Sequence, residues 1–144
     1  MKRVLLAVGA TLTVIILLCF AGYIMFTAEY ETNMDGDYVS RIVDGDTFEM
    51  SSGEMIRLMC VDTPEKGHRA KCPSEDQRGQ AASAFTKNAI AKAQKRQVAI
   101  ADWDKYGGRV LGDIILDGQS LRMMLIQNGF AREYYGEAKT SWCN

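Results

Sequence analysis

The chain has 144 residues, 47% of them hydrophobic and 24% charged, which suits one compact domain with a short appendage and leaves no room for two domains. Its formal charge is −1, and once the first 37 residues are set aside the rest holds 15 basic against 14 acidic residues. No broad basic field announces a polyanionic partner, so any affinity for phosphate has to come from a few placed cations and a metal ion.

Residues 4–26 contain no charged side chain. As a helix they would reach roughly 34 Å at about 1.5 Å per residue, enough to cross a bilayer. Lys2 and Arg3 precede the run, and Glu29, Glu31, Asp35 and Asp37 follow it. That asymmetry predicts a single-pass anchor with its N-terminus in the cytoplasm and the remainder outside it, periplasmic or extracellular. The alternative is secretion after signal cleavage, but a signal peptide has a shorter apolar region ending in small residues spaced A-x-A, and Phe26-Thr27-Ala28 fits that poorly. The predicted organisation is an anchor over 1–26, a polar linker over 27–37 and one domain over 38–144.

Within the domain, residues 38–43 alternate as a strand, Asp44-Gly45-Asp46 breaks the pattern, residues 47–50 resume it, and a turn at 51–54 leads into 55–61. This predicts a three-strand meander. A polar loop spans 64–73. Ser74 with Gln77 three residues on then forms a capping box for a helix to about Arg96, with Ala81, Ala82, Phe85, Ala89, Ile90 and Ala93 on its apolar face. Strands are expected over 97–101 and 109–116. A second short helix fits 121–128, with Ser120 as N-cap, Gly129 past its end, and Leu121, Met124, Leu125 and Phe130 turned to the core. Five short strands with two helices predict a small closed or nearly closed barrel.

Two acidic motifs fall beside strand ends: Asp44-Gly45-Asp46-Thr47 and Asp62-Thr63-Pro64-Glu65. Taken singly, the first is an ordinary hairpin turn and the second a helix start. If their strands are neighbours, however, the carboxylates converge as hard oxygen ligands suited to calcium. Zinc lacks a ligand set, because His68 is the only histidine and the cysteines are not closely paired. Arg57, five residues before Asp62, and Arg109, after a glycine pair, add fork-shaped donors for phosphate oxygens.

These residues resemble the staphylococcal nuclease (thermonuclease) family, whose I-D-G-D-T, R-L-x-x-V-D-T-P-E and D-K-Y-G-R motifs are matched in order by residues 43–47, 57–65 and 104–109. The resemblance covers about residues 38–135. It implies a five-stranded OB-fold barrel with two helices, and cleavage of DNA and RNA with little sequence preference by a protein acting as a monomer. Carried over by position, it implies that Asp46, Asp62 and the Thr63 carbonyl hold Ca2+, with Asp44 just behind them. Glu65 would orient or deprotonate the attacking water, Arg57 and Arg109 would clamp the phosphate, and Lys105, Tyr106 and Tyr135 would contact a terminal phosphate and a base. A catalytically silent barrel that binds nucleic acid or protein at the membrane, or a calcium-stabilised structural module, would use fewer of these groups.

The chain departs from the family pattern at Gly107-Gly108, one glycine longer, and at its end, where Ser141-Trp142-Cys143-Asn144 replaces a long helix. Cys72 and Cys143 could form a disulfide in an oxidising compartment, contributing roughly 4 kcal/mol by the chain-entropy argument. Cys60, between Met59 and Val61, would then be a buried thiol on a strand, though other pairings of the three remain open.

Overall fold

The computed structural model describes residues 32–33, 38–103 and 108–143, with side chains from Tyr38 onward except for residues 100–103. Contacts divide the chain into Met1–Glu31 and Thr32–Asn144, and the fold described is that of the second unit. The predicted anchor lies outside the described residues. Among those residues, no helix is long and apolar enough to cross a membrane.

The meander is present as β2 (Val39–Ile42), β3 (Thr47–Met50) and β4 (Met55–Leu58), paired antiparallel. The chain then forms β5 (Val61–Asp62), a 3-10 turn at Gly67–Arg69, helix α1 (Pro73–Lys92), β6 (Arg96–Trp103), β7 (Val110–Leu116), β8 (Gln119–Ser120), helix α2 (Leu121–Gln127) and β9 (Arg132–Glu133). With β1 (Thr32–Asn33), the main sheet runs β1-β6-β7-β4-β3-β2, and β8 is added to β7. Among the described residues the one parallel pairing, β4 with β7, sets Arg57 beside Leu111. Among the described residues no ladder joins β2 to β6, so the predicted barrel is an open half-barrel. Thr32 and Asn33 pair with Val98 and Gln97, which extends the sheet into the predicted linker.

Alternation explains the core. Phe48, Ile56, Leu58 and Ile114 project from the strands and are almost fully buried against Leu121 and Leu125 of α2 and Ile90 of α1. At roughly 1.5–3 kcal/mol for each large apolar side chain buried, this cluster is the main source of stability. Met124 and Phe130 pack at its margin, and the Phe130 ring lies 4.7 Å from that of Phe85. Ser120 caps α2 by accepting from the Met123 amide at 3.1 Å, and Gly129 follows the helix at φ 74°.

Three expectations are corrected. Helix α1 starts two residues earlier than the capping box implies. Cys72 is its N-cap and Pro73 its first residue, where a missing N–H costs nothing; it ends at Lys92 because Ala93 turns extended. Ala81, expected in the stripe, is exposed, while Ser83 and Thr86 are buried. The third strand is not continuous to Val61. Cys60 adopts φ 57° in a turn, its carbonyl accepts from the Tyr134 amide at 3.2 Å, and its free thiol is half-buried. A left-handed residue there costs about 1–2 kcal/mol, and the turn releases the chain from the main sheet so that β5 can pair with β9.

Two glycines bring α1 against the acidic motifs. A Cβ on Gly79 would fall 2.3 Å from the Glu65 carbonyl oxygen, and one on Gly45 would fall 2.8 Å from the Ala82 Cβ. Gly79→Ala is therefore expected to lower stability by about 1–3 kcal/mol in urea unfolding, because neither the helix nor the Pro64–Glu65 backbone can move aside cheaply.

Candidate active site

The Asp44-Gly45-Asp46 turn is fixed from several directions. The Val43 and Asp44 amides donate to the Thr47 carbonyl at 2.9 and 3.2 Å, the Leu58 amide donates to the Asp46 carbonyl at 2.8 Å, and the Thr86 hydroxyl donates to the Gly45 carbonyl at 2.7 Å. Backbone is thereby secured so that the two carboxylates can be buried. Asp44 is 5% and Asp46 2% exposed.

The second acidic motif meets the first. The Thr63 amide donates to Asp46 Oδ2 at 3.1 Å, while Asp46 Oδ1 accepts from the Thr47 hydroxyl at 2.9 Å and from Arg57 Nη1 at 2.7 Å. The structure thus brings Asp44, Asp46, Thr63 and Arg57 together. Arg57 reaches the cluster because its neighbour across the β3–β4 ladder is Thr47.

Burial raises the Asp46 carboxyl from 3.8 to about 7. The Arg57 charge opposes the rise, and nearby Asp44 adds to it by repulsion and by a hydrogen bond. Desolvation outweighs the direct guanidinium contact, so burial sets the direction of the shift.

Two more cations close on the cluster. Arg69 Nη2 lies 2.8 Å from Asp44 Oδ2, and its Nε lies 3.1 Å from Glu65 Oε2, as an ion pair without hydrogen-bond alignment. Asp62 Oδ2 accepts from the Trp142 indole Nε1 at 2.9 Å, and its Oδ1 touches the Lys139 ammonium. Glu75, buried at the start of α1, accepts from the Lys71 amide at 2.7 Å and supports the loop below Glu65. A cleft of about 260 Å3 opens here between Asp62, Thr63, Glu65, Arg69, Lys139 and Trp142.

The remaining expected residues divide. Arg109 is half-buried directly before β7, next to Val110, which pairs with Ile56; it is not among the residues walling the cleft. Tyr135 is 70% exposed. Lys105 and Tyr106 lie outside the described residues. Cys72 and Cys143 are joined as a disulfide, with Cα atoms 5.9 Å apart.

Sequence reasoning missed Arg69, Glu75, Lys139 and Trp142. Arg69 lies in a polar loop and a 3-10 turn, so its spacing of four from Glu65 was no helical signal. Nothing local marks Lys139 or Trp142, whose partner is 80 residues away.

The donor chemistry fits a hard divalent cation: four carboxylates and nearby backbone, with Asp44 Oδ1 buried and without a hydrogen-bond donor. Among the described residues no three carboxylates bring their oxygens within 4.8 Å of one another. Asp46, Asp44 and Asp62 are the carboxylates that would hold such an ion, and each of them contacts a protein cation, Arg57, Arg69 or Lys139. The one group that meets this spacing, Cys72, Glu75 and Cys143, holds two sulfurs already bonded to each other.

Residues 55–142 match the family described as staphylococcal nuclease homologue. That span holds Arg57, Asp62, Thr63, Glu65 and Trp142; the turn at Asp44 and Asp46 precedes it. Endonuclease YhcR of Bacillus subtilis (strain 168) is 32% identical over 114 residues, covering 70% of this chain but only 9% of that relative. The matched family model spans well over half of the sequence, and its strands and helix are those that build the acidic cleft: the chain belongs to the staphylococcal nuclease homologues.

Proposed function

We propose that the chain is a calcium-dependent nuclease that hydrolyses phosphodiester bonds of DNA and RNA with little sequence preference, held at a membrane by residues 4–26 with its domain outside the cytoplasm. The observation that carries this reading is the meeting of two sequence-distant acidic motifs at Asp46, which takes the Thr63 amide at 3.1 Å on one oxygen and Arg57 at 2.7 Å on the other, beside an open cleft that Glu65 borders. The match to a protein named an endonuclease supports it.

The chemistry follows from what each group can do. Asp46, Asp62 and the Thr63 carbonyl would hold calcium, backed by Asp44; when bound, the ion supplies positive charge to a phosphate oxygen and to water. Glu65, half-buried at the cleft edge, takes the proton of the attacking water. Arg57, and with it Arg109, neutralises charge that grows on the phosphoryl oxygens, an effect strongest for donors fixed beforehand. Tyr135 offers an exposed ring for stacking that is indifferent to base identity, and Lys105 and Tyr106 would add phosphate and base contacts. The Cys72–Cys143 bond supports a domain that matures outside the reducing cytoplasm.

A silent binding module is the competing reading. It is favoured by one observation: Asp44, Asp46 and Asp62 each already face a protein cation. The full chain, kept in mild detergent, should degrade plasmid and single-stranded DNA in calcium and stop in excess chelator. Retention on single-stranded DNA without cleavage at any calcium concentration would establish the module instead.

A further inference from the structure

We propose that the segment carrying Lys139 and Trp142 is a working part of the acidic centre. Trp142 is a positioning residue for the Asp62 carboxylate, and the Lys139 ammonium is a resident counter-ion that a divalent cation has to displace. The inference rests on the nuclease reading only in taking calcium as that cation.

An indole N–H can donate and cannot accept, and when buried it needs a partner. Trp142 is 7% exposed and gives its single donor to Asp62 Oδ2 at 2.9 Å, a charge-assisted bond that fixes the direction of the carboxylate. The ring and its backbone are held in turn. The Arg132 guanidinium stacks 3.7 Å from its ring centroid, Arg78 Nη1 donates to its carbonyl at 3.0 Å, and the next residue is disulfide-bonded to Cys72. Arg132 is also the ladder partner of Asp62 across β5 and β9. One residue therefore ties the backbone of Asp62 and the ring that orients its side chain. Partners that orient a ligand in this way typically govern metal affinity by 10- to 100-fold.

With Oδ2 committed to the indole, Asp62 turns Oδ1 toward the cleft, where, among the described residues, Lys139 alone meets it. The lysine side chain is 42% exposed on a flexible stem and also lies 5.6 Å from the Tyr134 ring centroid. It can therefore leave for solvent or the ring without disturbing the fold. Ammonium and calcium would compete for one oxygen, so removing the ammonium should favour the metal and removing the indole donor should disfavour it. The two substitutions act in opposite directions, which a merely structural role for the segment does not produce.

The test is calorimetric titration of calcium into the full-length protein in detergent, for the wild type, Trp142→Phe and Lys139→Met, with DNA cleavage followed in parallel. Trp142→Phe should weaken calcium binding about 10- to 100-fold, and the calcium needed for half-maximal cleavage should rise with it. Lys139→Met should tighten it several-fold. Wild-type affinity in both variants, or weakening in both, overturns the inference while leaving the nuclease reading intact. A wild type that neither binds calcium nor cleaves DNA removes both. Should Trp142→Phe fail to fold, Lys139→Met decides alone, since its stem is half in solvent and its calcium affinity must rise.

Discussion

Turnover by a Glu65→Gln variant is expected to fall by roughly 10²- to 10⁴-fold at saturating calcium, the range lost when a positioned general base is removed. Glutamine keeps the shape of the side chain and can still approach Arg69, which lies 3.1 Å from the native carboxylate, but it cannot take up a proton from water. Calcium binding should be little changed, which separates a failed proton transfer from a lost metal. Arg57→Ala makes an instructive contrast. Its expected loss is about 10²- to 10³-fold from missing charge stabilisation, and it also leaves Asp46 buried without its guanidinium partner, so that variant should be less stable as well as slower. Initial rates on plasmid DNA, with urea unfolding alongside, distinguish the two. A Glu65→Gln enzyme within tenfold of wild type rejects the base assignment, and an Arg57→Ala protein unimpaired in every activity points to a structural module.

Asp46 supplies the second large effect, through pH. Its carboxyl titrates near 7 in the folded protein and near 3.8 otherwise, chiefly because burial disfavours the charge. Below pH 3.8 both states carry the proton. Between about 4 and 7 the unfolded chain has lost it and the folded chain retains it, so the native state binds more protons and its stability falls as pH rises. The full displacement corresponds to a loss on the order of 4 kcal/mol. In chelator, then, the stability of wild type relative to Asp46→Asn should decline across that window and level off above it. In calcium the decline should vanish, because the cation takes the proton's place, and apparent calcium affinity should climb with pH up to about 7. Urea midpoints from pH 4 to 8, with and without calcium, measure this directly; parallel profiles for the two proteins would show that Asp46 is not the titrating group.

Much of the framework was legible because local and tertiary demands agree. The alternation at 38–58 and Ser120 before α2 specify what the fold uses, and the Asp44-Gly45-Asp46 turn lies against α1 where only glycine fits between Thr63 and Ala82. The misreadings arose where tertiary structure overrides local pattern. Leu58, Met59, Cys60 and Val61 read as continuous strand, yet pairing between β5 and β9 requires a turn in their midst. Pro73 carried the correct helix signal, but it stood at the edge of a polar loop and a plausible capping box followed it. The acidic residues of the site announced themselves as motifs. Apart from Arg57, their partners did not: Arg69 stands in a basic loop indistinguishable from a solvated one, 25 residues from Asp44, and Lys139 and Trp142 reach Asp62 only through the folded chain.

The two-residue ladder between β5 and β9 stands apart from the main sheet, so Asp62 sits on a small island whose hydrogen bonds are few. Amide exchange at Val61 and Asp62 should therefore keep pace with exchange at Arg132 and Glu133 rather than with the slow protons of β6 and β7. Reducing the Cys72–Cys143 bond should quicken the island's exchange while the large sheet remains protected, so that the protein could lose its grip on the cleft long before it unfolds.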